Sequence, residues 1–321
     1  MRLRWLIGAS ALSIGCSQCQ GETPSERHHT TQAPVMVAAE SNSTCPQTAA
    51  PERLGKIESS QLIEASGLVA SRRQPPILWI HNDSGNAPVL YAVKPDGESV
   101  ASYHLTGCQC VDWEDIAIGP GPKANTDYLY IADSGTNSQA REVITVYRVP
   151  EPKVPTHHNE ELDLGGVDSI RLSYPGHLVH DAETLFIDPR DGDLYIVTKS
   201  ALGDSGVYRA KAPLDTQLTE ELELIKLLQF PDTGARGAPR STGGDISPDG
   251  SALLLKTYTQ AFLFPRDKAE SVGEALTKAP CSVPLASEPQ GEAIGFASDG
   301  SGYYTVSEGE YQPIYFFKFK P

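Results

Sequence analysis

The sequence predicts an all-β fold, namely a five-bladed β-propeller, and three observations lead to this prediction. The 321 residues include 28 Gly, 25 Pro and 13 Tyr but 2 Met, which favours turns and short strands over helix bundles. A pattern of short strands recurs five times at a period of roughly 50–65 residues, as propeller blades do. The last repeat lacks a fourth strand, which an extended stretch before the first repeat, at residues 53–59, supplies.

The strands of each repeat follow from alternating apolar and polar residues, with Gly, Pro and Asp at the turns. First strands, each led by a polar cluster, are predicted at residues 64–68, 112–116, 181–185, 242–246 and 290–294. Second strands are predicted at 77–81, 128–132, 194–198, 252–257 and 303–307. Third strands are predicted at 89–93, 143–149, 207–210, 261–264 and 314–319. Fourth strands follow at 100–105, 169–173, 222–230 and 282–286.

Two intervals interrupt this regular pattern. Residues 268–278 are predicted to form a short surface helix inserted in the fourth repeat. The long interval 116–183 contains enough strand material for one blade, so five blades are predicted and six are the lesser possibility. Pairing of residues 53–59 with the last repeat removes two open sheet edges, which would otherwise template aggregation.

Composition and charge exclude one large class of function. The chain carries 26 Lys+Arg against 41 Asp+Glu, a formal net charge of −15, and its pI is near 4.9. Nucleic-acid binding depends mainly on a basic surface, so we expect no nucleic-acid partner. With 21% charged and 39% hydrophobic residues, the sequence is typical of a globular domain, which we expect to be monomeric.

The N-terminal residues are predicted to direct export. Residues 1–15 combine a basic start with a short apolar stretch, which is typical of a signal peptide. Residues 12–16 resemble the lipobox of bacterial lipoproteins, in which Cys16 is lipidated, although Ser13 stands where that motif prefers Leu. An ordinary cleaved signal is the alternative. We therefore expect an extracytoplasmic lipoprotein, at the outer membrane or in the periplasm if the organism is Gram-negative.

Between the signal and the repeats lies a segment that is poor in large apolar side chains. Residues 16–51 consist mainly of Ser, Thr, Gln, Pro and Glu, and such a stretch does not offset its ordering entropy. It is predicted to be a flexible tether that joins the lipid to the propeller domain at 52–321. Contact with the membrane is expected through the lipid anchor only.

The cysteines allow several arrangements. Closure of the propeller by residues 53–59 brings Cys45 near the junction of the fourth and fifth repeats, where Cys281 lies, so these two can form a disulfide. Cys108 and Cys110 stand too close in sequence for an unstrained disulfide. They are read as single thiols, as thiols with separate partners, or as two ligands of a soft metal.

A ring of acids is predicted on the channel axis, because the first strand of each blade lines the channel. The position two residues before the first apolar residue is Ser66, Glu114, Glu183, Gly244 and Glu292 in successive repeats. Three carboxylates in a narrow tunnel need a counter-charge, and Ca²⁺ accepts six to eight oxygen ligands. We therefore predict a Ca²⁺ site formed by Ser66, Glu114, Glu183 and Glu292, with Gly244 offering a carbonyl or room for water.

The sequence leaves two alternatives open at this ring. If the alignment slips, neighbouring carboxylates replace the predicted ligands, namely Glu64, Asp112, Asp115, Asp181 and Asp245. Alternatively, these acids bind backbone amides of adjacent blades and hold no metal.

A second polar set is predicted to bind a ligand. It lies at the ends of the second strands and in adjoining turns, and comprises Asp83, Asp133, Arg141, Lys199, Arg240, Lys256 and Glu308. Basic groups beside a bound cation would hold an anionic small molecule. Alternatively, Lys199 and Lys256 pair with acids of neighbouring blades. His180, just before an acidic cluster, is the candidate general acid or base.

Several short strings carry a family resemblance that covers most of residues 60–321. The strings EASGL, HNDSG, WEDIA, LYIADSG, VYRVPEP, HDAE, TGGDIS, LLLKTY and QGEAI resemble a family of exported bacterial propeller proteins that has no assigned activity. More distantly, the acidic ring is similar to the central calcium site of the five-bladed calcium-activated nucleotidases (apyrases). In that family the fourth blade also gives an oxygen-bearing side chain, so Gly244 departs from the pattern.

Two functions follow as expectations. The first is a tethered propeller with a central Ca²⁺ that binds a small anionic molecule or a protein partner. The alternative is a calcium-dependent hydrolase of a phosphoester, a nucleotide or a lactone, in which the cation polarises the substrate and orients water. Binding is preferred because no complete catalytic set can be named in the sequence.

Overall fold

The computed structural model describes residues 33–39, 45–137, 140–156 and 159–320. The strands, in chain order, are β1 (Val35–Met36), β2 (Glu52–Lys56), β3 (Ala65–Ala70), β4 (Leu78–Asn82), β5 (Val89–Val93), β6 (Ser99–Leu105), β7 (Trp113–Pro120), β8 (Asp127–Asp133), β9 (Val143–Pro150), β10 (Glu160–Leu164), β11 (Asp168–Ser173) and β12 (Ala182–Ile187). They continue as β13 (Leu194–Thr198), β14 (Asp204–Ala210), β15 (Thr219–Glu221), β16 (Glu223–Gln229), β17 (Ser241–Ile246), β18 (Ala252–Thr257), β19 (Ala261–Pro265), β20 (Cys281–Val283), β21 (Gly291–Phe296), β22 (Gly302–Ser307) and β23 (Pro313–Lys318).

These strands form five sheets, which confirms the predicted five-bladed β-propeller. Blades 1 to 3 have the cores β3–β6, β7–β8–β9–β11 and β12–β13–β14–β16, each joined by one further outer strand. Blade 4 comprises β17–β20, and blade 5 comprises β21–β23 with β2. The innermost strands β3, β7, β12, β17 and β21 contact one another in that order, and β21 contacts β3, so the blades close a ring.

The ring is closed by the N-terminal strand, as the sequence predicts. Strand β2 pairs antiparallel with β23, so that Glu52 lies opposite Phe316 and Lys56 opposite Pro313. The predicted Cys45–Cys281 disulfide is also present, with the two Cα atoms 5.4 Å apart. Blade 5 therefore gains its fourth strand from the opposite end of the chain, and a covalent bond ties that end to blade 4.

Part of the predicted tether is packed against the propeller. Val35 and Met36 pair in parallel with β16 of blade 3, and Val37 is 2% exposed. Together with the Cys45 disulfide, these contacts correct the expectation of a flexible tether for residues 33–39 and 45–51. The signal peptide at 1–15, Cys16 and the first half of the tether lie outside the described residues.

Three short outer strands were not predicted. Strand β10 pairs in parallel with β6, β15 with β11, and β1 with β16. The long interval 116–183 thus contributes β10 to blade 1 and does not build a sixth blade. Each addition covers the outer edge of a blade, which would otherwise expose unpaired backbone groups.

The core lies between the faces of neighbouring blades. Strands such as β4 and β13 are buried on both faces because a blade packs on each side of them. Trp79 and Trp113 are both fully buried in the layer between blades 1 and 2. Burial of each such side chain stabilises the fold by about 1.5–3 kcal/mol.

Helical structure is sparse. The helix predicted at 268–278 is a single turn, α1 (Val272–Ala275), in which Ser271 and Glu274 form a reciprocal capping box. A 3₁₀ turn covers Pro175–His177. Within the described part of the chain, no helix is long and apolar enough to cross a membrane.

Candidate metal centre

A β-bulge in every innermost strand turns one side chain out of the ladder at the same level of the channel. The residue left out of the pairing is Ser66, Glu114, Glu183, Thr242 and Glu292 in blades 1 to 5. A bulge re-aims a side chain and is common beside functional sites. The structure therefore places Ser66, Glu114, Glu183 and Glu292 at equivalent positions, as the sequence predicts.

Blade 4 corrects the sequence alignment by two residues. Gly244 pairs with Leu255 within the ladder, and Thr242 occupies the bulge. The slip arose because the repeats were aligned on their first apolar residue, and the glycines of blade 4 delay that residue to Ile246. The starts of the predicted first strands give the same alignment, so only the pairing register reveals Thr242, which supplies the oxygen-bearing side chain that Gly244 lacks.

The two hydroxyl side chains of this ring connect adjacent blades. Ser66 Oγ donates to the backbone carbonyl of Glu114 at 2.5 Å, and Thr242 Oγ1 donates to that of Glu292 at 3.4 Å. Ser66, predicted as a metal ligand, thus has its proton directed at the next blade. Its two lone pairs are not used by this bond and would be its means of binding a cation.

A second ring follows the second strand of each blade. It consists of Asp83, Ser134, Lys199, Tyr258 and Glu308. The amides of Asp83, Ser134, Lys199 and Glu308 donate to the carbonyls of Glu64, Asp112, Asp181 and Gln290 at 2.8, 3.1, 2.8 and 3.0 Å. Sequence reasoning found three members of this ring and missed Ser134 and Tyr258, since it took Asp133 and Lys256 as the strand ends.

Carboxylates of the two rings and of the turns before them lie in three overlapping groups. Within each group the ligand atoms are within 4.8 Å of one another; the groups are Glu114–Asp181–Glu183, Asp83–Glu292–Glu308 and Asp83–Asp112–Glu114. The predicted ligands Glu114 and Glu183 share one group, whereas Glu292 belongs to another. Asp83, predicted to bind a ligand, joins two of the groups.

The group on the blade 3 side contains its own cation. Lys199 Nζ forms an ion pair with Glu183 and lies 5.5 Å from the centre of the Tyr258 ring. Both charged side chains are largely buried, and the other carboxylate oxygen of Glu183, Oε2, has no hydrogen-bond partner. Lys199, predicted to hold an anionic ligand, thus neutralises the acid of its own blade.

The group on the blade 5 side reduces its charge by holding a proton. Burial, together with the charge and hydrogen bond of Glu292, raises the pKa of Glu308 to about 9. Tyr258 donates its hydroxyl to Glu292 Oε1 at 2.8 Å. At neutral pH Glu308 therefore keeps its proton, which lowers the negative charge of this group.

The third group, Asp83–Asp112–Glu114, contains no cationic side chain of the described residues. Among the described side chains, no Lys or Arg forms an ion pair with any of these three acids. Asp112 Oδ1 and Glu114 Oε1 are buried and have no hydrogen-bond partner, although both residues are at most 1% exposed. Burial, then the charges of Asp83 and Asp112, raise the pKa of Glu114 well above its ordinary value. Burial also raises the pKa of Asp83 to about 7.

The backbone around this third group keeps it compact. A Cβ on Gly135 would lie 1.8 Å from Glu114 Oε1 and 2.5 Å from Asp112 Oδ2, so only glycine fits there. The amide of Asn137 donates to Asp112 Oδ2 at 2.5 Å. The site is thus enclosed by main chain on the blade 2 side, and half-buried Asp83 forms its more open side.

Asp133 and Arg141, both predicted to bind a ligand, bind each other instead. Arg141 lies 2.8 Å from Asp133 Oδ1 and donates to the Gly135 carbonyl at 2.9 Å. Asp133 Oδ1 in turn accepts from the Asp112 amide at 2.9 Å. The pair therefore positions the chain on both sides of the third group.

His180 and Lys256 are also engaged within the fold. The His180 ring packs 4.8 Å from that of Tyr174, and its Nε2 lies 3.2 Å from the Tyr208 hydroxyl. Lys256 is fully buried, and its Nζ donates to the backbone carbonyl of Gly291 in blade 5. Lys256 thus joins neighbouring blades, as the alternative interpretation of the sequence expected. Its partner is a backbone carbonyl and not the expected acidic side chain.

Two of the neighbouring acids connect blades through backbone amides. Asp115 accepts from the amides of Ile116 and Leu185 at 2.8 and 2.9 Å. Asp245 accepts from those of Ile246 and Phe296, both at 2.8 Å. Asp115 and Asp245 therefore follow the alternative expectation that these acids bind backbone amides of adjacent blades.

Comparisons with known proteins yield distant structural likenesses, among them the following two. No protein-family model matches the sequence, and no curated protein matches it. The apo-form of the soluble aldose sugar dehydrogenase from Escherichia coli aligns with a TM-score of 0.43 and 10% identity, over 85% of this chain and 100% of its own. The WD40 domain of Neurospora crassa Pan2 aligns with a TM-score of 0.39 and 10% identity, over 84% and 98%. At these values neither likeness bears on function, and the five blades themselves establish the propeller.

Proposed function

We propose that this protein is an exported, lipid-anchored propeller that holds Ca²⁺ at Asp83, Asp112 and Glu114 and binds a small anionic ligand. One observation carries the cation part of the proposal. Three carboxylates lie within 4.8 Å of one another, and two of their buried oxygens have no partner.

The distribution of positive charge supports this choice of group. Lys199 forms an ion pair with Glu183, and Glu308 keeps its proton at neutral pH. No described Lys or Arg forms an ion pair with Asp83, Asp112 or Glu114, and burial raises the pKa of all three, so ionising them together would be costly without a cation. A divalent cation would compensate them and would lower the pKa values that burial and mutual repulsion raise.

The chemistry of the donors favours calcium. All three are carboxylates, two from the start of β7 and one from the end of β4, and no His or Cys belongs to the group. Hard oxygen donors in an irregular arrangement are typical of Ca²⁺, which completes its shell with carbonyls and water. Thr242 also agrees with the resemblance of the ring to the apyrase calcium site, because it gives blade 4 an oxygen-bearing side chain.

Binding is proposed in preference to hydrolysis. His180, the candidate general acid or base, is occupied by Tyr174 and Tyr208, and Lys199 by Glu183. Export and lipidation rest on residues 1–16 of the sequence. The anionic ligand rests on basic side chains that remain unpaired near the rings, of which Arg240 is one.

The cation centre is tested by calcium content and thermal stability. The purified domain should retain about one Ca²⁺ per chain, and a chelator should lower its melting temperature. Glu114→Gln removes a ligand charge without changing shape, so both the bound calcium and the chelator effect should be lost. The exposed Glu52→Gln is the matched control and should behave as wild type. Unchanged calcium content in Glu114→Gln would contradict the proposal.

A further inference from the structure

A cavity between blades 4 and 5 carries two arginines that have no partner. It measures about 440 Å³, within the range of small-molecule sites, and is lined by Arg236, Arg240, Tyr258, Glu288, Gln290 and Gly291. Among the described residues, neither guanidinium forms a side-chain hydrogen bond or an ion pair. Both arginines are exposed to solvent, and both line this one cavity of a chain with 26 basic and 41 acidic residues.

The loop that bears both arginines is fixed in place. Ala238, which lies between them, is fully buried, and the Arg240 amide donates to the Gly237 carbonyl at 3.0 Å. Gly237 has φ +74°, and a Cβ there would lie 2.7 Å from the Tyr258 ring. The backbone from which both guanidiniums extend is therefore set before a ligand arrives, which lowers the ordering cost of binding.

The floor of the cavity adds positive charge. Gly291, a lining residue, accepts a hydrogen bond from Nζ of the buried Lys256. The lining carboxyl of Glu288 accepts from Thr305 Oγ1 at 2.7 Å, and burial raises its pKa. Three basic side chains thus lie at or just behind the wall, together with the carboxyls of Glu288 and of Glu292, which accepts from the lining Tyr258 hydroxyl.

We propose that this cavity binds a small molecule through a doubly charged oxyanion, with the chemistry of a phosphate group. A carboxylate is satisfied by one arginine in a bidentate pair, whereas a phosphate dianion accepts hydrogen bonds from both guanidiniums at once. Tyr258, Thr259 and Gln290 offer polar groups to the remainder of the ligand. This inference rests on the proposed function, since it names the class and the place of the anionic ligand.

Inorganic phosphate is the probe, and calcium-free protein separates this test from the cation centre. Titration calorimetry at pH 8 and low salt should show phosphate binding to wild type. Arg236→Gln and Arg240→Gln should each weaken it about tenfold, the loss expected for one charge-assisted hydrogen bond. Arg53→Gln removes an exposed charge from strand β2 and should bind as wild type. Acetate should bind at least about tenfold more weakly than phosphate.

Several outcomes would overturn the inference. Absence of phosphate binding to wild type, or equal binding by Arg240→Gln, would reject the cavity. Acetate binding as tight as phosphate would reject the doubly charged class. Calcium is removed first, so phosphate binding supports the cavity even if Glu114→Gln retains calcium. If the calcium centre is confirmed but no phosphate binds, the inference about the cavity is wrong.

Discussion

At the scale of single residues, three neighbouring carboxylate groups carry their charge in three different ways. Glu183 has Lys199, Glu308 beside Glu292 keeps its proton, and Glu114 forms no ion pair with a described Lys or Arg. Electrostatic energies in a buried site depend on such individual partners more than on net charge. This difference is why the cation is proposed beside Glu114 and not beside Glu183.

Lys256 gives a pH-dependent prediction at this scale. Burial lowers its pKa from 10.5 to about 8. Between these values the unfolded chain binds more protons, so the penalty for burying this ammonium is relieved as pH rises through that window. Relative to Lys256→Met, wild type should therefore gain about 3 kcal/mol of unfolding free energy between pH 7.5 and 10.5.

Urea unfolding at several pH values measures this gain. The same substitution at exposed Lys123 is the control, because its side chain lies in water. A difference between wild type and Lys256→Met that stays level across the window would contradict the assigned burial of a charged Lys256.

At the scale of elements, the bulges and the closing strand decide which side chains meet. A bulge displaces one side chain from each innermost strand, and the five displaced residues share one level of the channel. Strand β2 then completes blade 5, so the angular positions of all five blades depend on a strand from the opposite end of the chain. The site and the closure of the ring are thus coupled.

The Cys45–Cys281 disulfide should stabilise this closure. It spans 236 residues, so its loss restores much conformational freedom to the unfolded chain. Cys45→Ala combined with Cys281→Ala should lower the unfolding free energy by about 2–5 kcal/mol, as measured by urea unfolding without reductant.

Reductant should reproduce this loss in wild type and have no effect on the double variant. Cys108 and Cys110 are free thiols, so replacing both with Ala should leave the response to reductant intact. A wild-type midpoint that ignores reductant would contradict the role given to the disulfide.

At the scale of the whole molecule, the N-terminal segment would link the predicted lipid anchor to the propeller. Val35 and Met36 pair with blade 3, so any anchor at Cys16 would be separated from the folded domain by fewer residues than the sequence implies. The anchor itself is a sequence-based prediction.

Metabolic labelling with palmitate in a bacterial host tests the anchor. Wild type should incorporate label, and Cys16→Ser should lose it and appear in the soluble extracytoplasmic fraction, because no acyl chain then holds it to the membrane. Cys19→Ser is the matched control and should remain labelled. Label that persists in Cys16→Ser would show that this cysteine is not the acylated residue.

The sequence by itself predicted the all-β propeller and its closing strand, favoured five blades over six, and gave Cys45–Cys281 as one possible pairing. Alternation and turn residues act locally, so they can be read without knowing the neighbours of a strand. The bulged carboxylates Glu114, Glu183 and Glu292 were also found in this way.

Tertiary structure decided the bulge residue of blade 4, the partners of the acids and the outer strands, because these depend on which groups meet across blades. The register in which β17 pairs with β18 puts Thr242, and not Gly244, at the blade 4 bulge. No residue propensity in the sequence predicts that register. The ion pair of Lys199 with Glu183, and the lack of one at Asp112 and Glu114 within the described residues, depend on contacts between segments distant in sequence. The outer strands β1, β10 and β15 pair with the outer edges of blades, and these edges form only once the blades have folded. The short sequences of these strands therefore do not specify their partners.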